Sequence, residues 1–207
     1  MSNGVIYSAY GSKAIHEALK SIHSLKLSNP DVQTAVITDD PKPFTHDADS
    51  IIEFESEDRF GRWAKLNADI LTPFNNTLYL DADTRVHGSL SPIFEWLDAG
   101  FEFVSTLSAR QKVQWLWHIE PETRSETNYE IGFIPAQIQG GVWGFRRTAN
   151  VRSFMALWRN IWKADGIKHD QAALAKAFRQ KPMKTLFIGH DFNGGMIVHH
   201  LYGRAER

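Results

Sequence analysis

Short apolar runs alternate with amphipathic stretches along the first part of the chain, and this alternation predicts strands and helices in turn. The apolar runs predict buried strands at residues 5–9, 34–38, 50–54 and 77–80. From Ser12 to Ser28 the apolar residues recur every three or four positions, which predicts a helix with one buried face and Ser12 as its N-cap. A second helix is predicted from Arg59 to Leu71. This order of elements indicates a parallel sheet built from strand–helix–strand units.

The second half of the chain has a more mixed pattern. It predicts strands at 101–105, 140–145, 185–188 and 196–199, and helices at 151–162 and 170–178. Residues 108–138 have weak periodicity and several turn-forming residues, which predicts a long excursion that shapes a substrate pocket. Trp115 and Trp117 lie in this excursion and are candidates for an aromatic platform in that pocket. The complete pattern predicts one α/β domain over residues 1–207, an α/β/α sandwich of Rossmann type with a mostly parallel central sheet and a mixed C-terminal half.

Composition excludes several classes of protein. The 207 residues suit one domain, and an apolar share of 43% is sufficient for an ordinary packed core. The net charge of −1 gives no indication of binding to nucleic acid or to an anionic membrane surface. The absence of cysteine excludes disulfides, thiolate metal sites and cysteine nucleophiles. Because the N-terminus lacks a signal-peptide pattern and no apolar stretch reaches the roughly 20 residues of a membrane span, we expect a cytoplasmic protein.

Two carboxylates, Asp81 and Asp83, directly follow the apolar run at 77–80. Side chains two residues apart at a strand end point the same way, so both carboxylates are expected to face the crevice above the carboxyl edge of the sheet. Neighbouring carboxylates repel unless a proton or a cation lies between them. Hard carboxylate oxygens suit magnesium, calcium or manganese, and such an ion can hold the diphosphate of a substrate.

Three interpretations of this pair are open on local sequence alone. It is a strand-end turn, where Asp is common; it is the aspartyl nucleophile, Asp81, of a phosphatase of the haloacid dehalogenase type; or it is the metal-binding DxD of a nucleotide-sugar glycosyltransferase. Position in the chain favours the third. The phosphatase motif ends the first strand of its fold and needs a second acidic pair downstream, where this chain has only Asp191 after 188–190.

Four segments, in order, resemble motifs of one family of glycosyltransferases. They are Ala64-Lys65-Leu66 followed by the Asp81-Ala82-Asp83 run, Gln139 to Arg146, His169 to Leu174, and His199 to Gly203. These segments span most of the chain and resemble glycosyltransferase family eight, which has the GT-A fold and includes glycogenin and bacterial galactosyltransferases. Gln139 and Gly140 differ from the family's usual Asn and small residue. The family's later Lys is replaced by Glu206, which leaves Arg204 or Arg207 as candidates for that charge.

The resemblance implies a metal-dependent transferase that retains the anomeric configuration. Asp81, Asp83 and His200 are the implied ligands of Mn²⁺ or Mg²⁺, and an oxygen–imidazole set suits manganese better than calcium. The donor is a nucleotide sugar, with UDP the usual nucleotide in the family, and the acceptor is an unknown saccharide, lipid or protein. Asp170 and Gln171 orient the donor sugar, and Lys65, where many members have Arg, assists catalysis at the diphosphate.

The remaining candidates for donor binding lie along the whole chain. Tyr10 is placed to stack on the nucleobase, Asp39 to meet the base or ribose, and Arg62 to neutralise phosphate. The other predicted donor contacts are Ala9, Ala82, Gly140, Gly141 and Gly203. Residues 1–86 are expected to form the nucleotide-binding half and residues 87–207 the half for sugar and acceptor. A protein of the same fold that binds carbohydrate without turnover is the alternative that is not an enzyme.

Overall fold

Strands from both halves of the chain form one central sheet. The computed structural model describes residues 2–58, 60–108, 119–132, 137–166 and 169–203. The strands are β1 Asn3–Ala9, β2 Gln33–Thr38, β3 Ser50–Glu53, β4 Asn76–Leu80, β5 Thr84–Val86, β6 Phe103–Leu107, β7 Ile138–Arg146, β8 Thr185–Ile188 and β9 Val198–His200. The helices are α1 Gly11–Ser28, α2 Arg62–Leu66, α3 Ala68–Leu71, α4 Ser91–Asp98, α5 Pro121–Ile131, α6 Ala149–Ala164 and α7 Asp170–Gln180. Single 3₁₀ turns lie at Lys42–Phe44 and His190–Phe192.

The central sheet is mostly parallel, as the sequence predicts. In the described part of the chain its seven strands have the order β3-β2-β1-β4-β7-β6-β8, and only β7 runs against its two neighbours. The first half supplies β1 to β4, and the second half supplies β6 to β8. A separate antiparallel pair, β5 with β9, sets Thr84 opposite His200. This small pair carries the C-terminal part of the chain back to the end of β4.

A hydrophobic layer covers each face of the sheet. Alternate residues of the strands point to opposite faces, so neighbours such as Ile6 and Tyr7 enter different layers. One layer packs α2, α3, α6 and α7 against the sheet, with Trp143 at its centre. The Trp143 ring lies 5.0 Å from Tyr79 and 5.6 Å from Phe103, centroid to centroid. The other layer packs α1 and α4, which completes the predicted α/β/α sandwich.

Several element boundaries differ from those predicted. The helix predicted at 59–71 is divided at Asn67, whose side-chain amide donates to the Trp63 carbonyl at 2.8 Å and ends α2. Ser12 is not an N-cap, because α1 begins at Gly11 and its preceding residue, Tyr10, makes no side-chain cap. The strand predicted at 101–105 is β6 at 103–107, and the one predicted at 196–199 is β9 at 198–200. The pattern missed α4 and the three-residue β5.

The predicted excursion at 108–138 contains a helix. Helix α5 is polar on all sides, so no apolar periodicity marks it in the sequence. It contacts α7, where buried Lys176 bonds Glu130 at 3.0 Å. Trp115 and Trp117 lie outside the described residues. None of the helices in the described part of the chain combines the length and apolar character that crossing a bilayer requires.

Candidate active site

A cavity of about 1020 Å³ opens at the carboxyl edge of β1 and β4, and we call it the central cavity. It is lined by twelve of the predicted site residues: Tyr10, Arg62, Lys65, Asp81, Ala82, Asp83, Gly140, Gly141, Asp170, Gln171, His200 and Gly203. Two predicted residues do not line it. Ala9 is fully buried at the end of β1, and Asp39 is exposed after β2. The sequence motifs, which are spread over some 190 residues, therefore meet at one place.

Asp81 and Asp83 lie in a turn between β4 and β5 and not on an extended strand. The Thr84 amide donates to the Asp81 carbonyl at 3.2 Å and closes this turn. The Asp81 amide donates to the Gly141 carbonyl at 2.8 Å, which continues the pairing of β4 with β7 past Leu80. Both side chains line the central cavity, as predicted, but the turn places them there and not the alternation of a strand.

His200 completes a group of three side chains, two carboxylates and one imidazole, that are of types able to bind a metal ion. Its Nε2 lies 3.1 Å from Asp83 Oδ1 and 3.7 Å from Asp81 Oδ2. One ligand atom from each of the three residues lies within 4.8 Å of the others. A divalent cation that contacts all three atoms fits this spacing, and the oxygen–nitrogen donor set suits manganese. His200 and Asp81 can approach each other at this point because Gly141 has no side chain. A Cβ on residue 141 would lie less than 3.0 Å from both of them.

The local contacts keep Asp83 ionised. Burial works against its charge, but the hydrogen bond and charge of His200, with the backbone N–H of Gly203, hold the pKa of Asp83 below its ordinary value. Tyr79, on β4, donates its hydroxyl to Asp81 Oδ1 at 3.1 Å. Burial, together with the Asp81 charge, raises the pKa of Tyr79 far above its ordinary value, so it remains a donor. Asp83 is thus a charged acceptor of neighbouring hydrogen bonds, and Asp81 accepts the hydrogen bond from Tyr79.

Lys65 connects the carboxylate pair to the start of α7. Its Nζ lies 2.8 Å from Asp170 Oδ2 and 3.4 Å from Asp81 Oδ1. Lys65 is 7% exposed, and burial disfavours its charge, but the two carboxylates raise its pKa above the ordinary value. Burial likewise opposes ionisation of Asp170, but Lys65 and then Arg62 hold its pKa below the ordinary value. The pair is therefore charged and faces the cavity.

Gln171 and Gly140 form the wall beside this pair. The Gln171 amide donates to the Ile138 carbonyl at 2.9 Å and lies 3.4 Å from Gln139 Oε1, so β7 fixes its side chain. A Cβ on Gly140 would meet Asp170, Gln171 and Lys65 at 3.4 Å, an ordinary contact distance. This wall presents the amide groups of Gln171 and Gln139. The charges of Lys65 and Asp170 beside it offset each other in their ion pair. It suits a polyhydroxylated ligand.

Tyr10 also lines the central cavity and is 8% exposed. Its hydroxyl donates to the Phe54 carbonyl, and its ring packs beside Gly61, where a Cβ would clash. Burial, then the charges of Asp39 and Asp58, raise the pKa of Tyr10. Asp39 therefore lies in the electrostatic surroundings of Tyr10, although it does not line the cavity. The Arg62 guanidinium lies 4.8 Å from the centroid of the Phe60 ring, and both residues line the cavity.

The motifs did not include the face of α1 that borders the cavity. This face carries Lys13, Ala14 and Glu17. The spacing of these residues could have identified the face. Lys13, Ala14 and Glu17 follow Tyr10 at intervals of three or four residues, and such positions share one side of a helix. Buried Glu17 forms an ion pair with Arg85, which follows the carboxylate turn. Arg204, Glu206 and Arg207 lie outside the described residues.

Replacing Lys65 by Met tests whether this buried pair is charged. At pH 7 we expect the free energy of unfolding to fall by about 3 kcal/mol, because Asp170 would lose its main cation. In the wild type, the lowered pKa of Asp170 gives stability that is full above the unfolded pKa, about 3.9, and is lost at lower pH. In Lys65→Met the buried carboxylate is protonated more easily, so the deficit should shrink as pH falls from 7 towards 4.

Urea unfolding of both proteins across that pH range measures the effect. Lys163→Met is the matched control, because Lys163 pairs with Glu57 at 2.9 Å while both side chains are more than 40% exposed. Its effect should stay near or below about 1 kcal/mol. A Lys65→Met deficit that is equally small, or that does not change with pH, would contradict the assignment of a charged buried pair.

Known proteins are similar to this chain in their fold, but the comparisons of sequence found no relative. No protein-family model matches the chain, and no curated protein matches it in sequence. Among solved structures, the galactosyltransferase LgtC, bound to donor and acceptor sugar analogues, superposes with a TM-score of 0.60 at 16% identity, over 92% of this chain and 74% of LgtC. The glycosyltransferase GlyE of Streptococcus pneumoniae gives 0.66 at 14% identity, over 93% of this chain and 47% of GlyE. The chain has the GT-A fold.

A third GT-A structure, the bifunctional glycosyltransferase WbbM, gives a TM-score of 0.64 at 12% identity, over 92% of this chain and 39% of WbbM. This chain therefore covers less than half of GlyE and of WbbM. At these identities the likeness concerns the GT-A fold alone. It gives no support to the phosphatase alternative, and Asp81 follows the fourth strand along the chain, where that alternative requires the first.

Proposed function

We propose that this chain is a metal-dependent glycosyltransferase that moves a sugar from a nucleoside diphosphate donor to a saccharide, lipid or protein acceptor. The observation that carries the proposal is the convergence of Asp81, Asp83 and His200 within 4.8 Å on the wall of the central cavity. LgtC, GlyE and WbbM, which are similar to this chain in fold, are glycosyltransferases, and LgtC was captured with donor and acceptor sugar analogues. The donor is a UDP-sugar, the ion is Mn²⁺ or Mg²⁺, and transfer retains the anomeric configuration.

The charged side chains of the site act on the diphosphate, and the neutral side chain of Gln171 acts on the sugar. Asp81, Asp83 and His200 would hold a divalent ion, which would supply Lewis-acid stabilisation of the departing diphosphate. Lys65 adds a fixed positive charge beside Asp81, and Asp170 holds its ammonium in place at 2.8 Å. Gln171 is a neutral amide and a poor nucleophile, so it orients the sugar through hydrogen bonds without forming a covalent bond. Catalysis in this scheme is electrostatic and positional.

The two halves of the chain bind different parts of the substrates. Residues 1–86 contribute Tyr10, Arg62 and the carboxylate turn, and they bind the nucleotide. Residues 87–207 contribute β7 and the start of α7, and they bind the sugar and the acceptor. The cytoplasmic location stays a prediction.

Thermal unfolding with and without ligands tests the proposal. Mn²⁺ together with UDP should raise the melting temperature more than either alone, because an ion held by Asp81, Asp83 and His200 would strengthen the binding of the diphosphate. At a ligand concentration about 100 times Kd, the gain is about 2.7 kcal/mol, or roughly 5–10 °C for a chain of this size. Replacement of UDP by GDP in the same assay tests the choice of base.

Product analysis separates the three functional hypotheses. With Mn²⁺ and a UDP-sugar, a glycosyltransferase releases UDP by transfer or by slow donor hydrolysis. A phosphatase releases inorganic phosphate from simple phosphoesters. A protein that only binds carbohydrate shows the thermal shift and no cleavage of any donor. Absence of both the thermal shift and UDP release would remove the proposed function.

A further inference from the structure

The ring of His200 is held at both nitrogens. Nε2 faces the carboxylates of Asp81 and Asp83, as described above. Nδ1 lies 2.8 Å from Oδ1 of Asn193, which follows the 3₁₀ turn His190–Phe192. His200 is 6% exposed and Asn193 1%, so water does not compete for this hydrogen bond. None of the sequence motifs includes Asn193.

Asn193 is itself fixed to the central sheet. Its side-chain Nδ2 donates to Thr106 Oγ1 at 2.8 Å, and Thr106 is fully buried on β6. Its backbone N–H donates to the His190 carbonyl at 2.9 Å. Its own carbonyl accepts the Tyr202 hydroxyl at 2.9 Å, and the Tyr202 ring stacks on His200 with centroids 4.3 Å apart. The imidazole is therefore fixed along one edge by Asn193 and across one face by Tyr202.

This arrangement decides which nitrogen can bind a cation. A neutral imidazole carries one proton, and only its unprotonated nitrogen is a metal ligand. When Asn193 presents its oxygen to Nδ1, the proton belongs on Nδ1 and the Nε2 lone pair faces the carboxylates. The reversed amide would donate to Nδ1, place the proton on Nε2 and prevent coordination there. In the structure the Asn193 amide nitrogen donates to Thr106, so the amide oxygen is the atom that faces Nδ1.

We infer that Asn193, held by Thr106, is a positioning residue that orients the His200 ring and keeps Nε2 available to the cation. The inference rests on the proposed function, since it assumes that Asp81, Asp83 and His200 bind a divalent ion. It concerns a residue that would touch neither the ion nor the substrate. Loss of its oxygen should weaken metal binding without removing any ligand.

Calorimetric titration with Mn²⁺ alone measures this effect. Asn193→Leu keeps a similar volume and removes both hydrogen bonds, so Mn²⁺ affinity should fall about 10- to 100-fold, the usual range for a lost support of a metal ligand. Asn193→Asp keeps an oxygen opposite Nδ1 whichever way the group is turned, and should retain affinity within about three-fold. This rescue separates positioning from packing, because a structural role alone predicts that the buried charge in Asn193→Asp is the more harmful change.

A matched pair of buried threonines provides the control. Thr106→Val removes the partner of Asn193 and should lower Mn²⁺ affinity, by less than Asn193→Leu does. Thr77→Val removes an equally buried strand hydroxyl, bonded to Thr72 at 2.8 Å near the start of β4, and should leave Mn²⁺ affinity unchanged. Equal losses in the two threonine variants would show that the effect is general destabilisation and would overturn the inference.

The tautomer is a second readout that does not depend on affinity. In the Mg²⁺-loaded protein, ¹⁵N NMR of the histidine rings should show His200 protonated at Nδ1, with the signal assigned by its loss in His200→Gln. Protonation at Nε2, or unchanged Mn²⁺ affinity in Asn193→Leu, would overturn the inference alone. A wild-type chain that binds no Mn²⁺ would remove the proposed metal site first, and the inference with it.

Discussion

Asp83→Ala is expected to abolish metal-dependent activity while the chain remains folded. Asp83 offers one oxygen to the proposed ion, and its other oxygen accepts from the Gly203 amide. Since a metal that stabilises the leaving diphosphate supplies several kcal/mol, and 1.36 kcal/mol is a factor of ten, kcat/KM should fall by at least about 1000-fold. The thermal shift given by Mn²⁺ with UDP should disappear as well. Both are measured with UDP-sugar hydrolysis and thermal unfolding.

Two further variants make the Asp83 result specific. Asp83→Asn keeps a side chain that can bond His200 and Gly203, so it guards against a folding defect, and it should lose activity to a similar extent because the charge is absent. Asp31→Ala removes an exposed carboxylate after α1, at the opposite edge of the sheet, and should change nothing. Unchanged donor affinity in a folded Asp83→Ala protein would remove the metal assignment.

Gly141→Ala is expected to damage the same site through added volume. The new Cβ would lie less than 3.0 Å from both the His200 ring and the Asp81 carboxylate. Either group must move, and both are proposed ligands, so Mn²⁺ affinity should fall by roughly 100-fold. Overpacking of this kind also destabilises the fold by about 1–3 kcal/mol. Calorimetric titration with Mn²⁺ and urea unfolding measure the two effects.

The neighbouring glycine is the control for Gly141→Ala. A Cβ at Gly140 meets its nearest atoms at 3.4 Å, and those atoms belong to Asp170, Gln171 and Lys65, none of which is a proposed metal ligand. Gly140→Ala should therefore keep Mn²⁺ affinity within about three-fold, although it can change the preference for the donor sugar. If Gly141→Ala bound Mn²⁺ as well as Gly140→Ala does, the proposed coordination geometry would be wrong.

Local patterns predicted most of the elements that bury a regular face, although they missed α4, which buries Ile93, Phe94 and Leu97. The continuous apolar runs of β1, β2 and β4 predict strands that are buried on both faces, and the periodic stripe of α1 predicts a helix packed on the sheet; together they predict the parallel half of the sheet. The polar helix α5 and the three-residue β5 carry no such period, and both were missed. The division of the helix at 59–71 depends on one side-chain hydrogen bond from Asn67, which no periodicity reveals.

The sequence by itself determined the fold class and the two carboxylates after β4, and the resemblance of its motifs added His200, Lys65, Asp170 and Gln171. The fold class and these candidate residues could be predicted because they depend on residue types and their spacing within short segments. Only the tertiary structure decided how the segments meet: β5 pairs with β9, so His200 reaches Asp83 across 117 positions. It also decided that Gly141 leaves room for that meeting and that Asn193 holds the ring. Such contacts join residues far apart in the chain, and their geometry follows from the packing of whole elements, which no local pattern records.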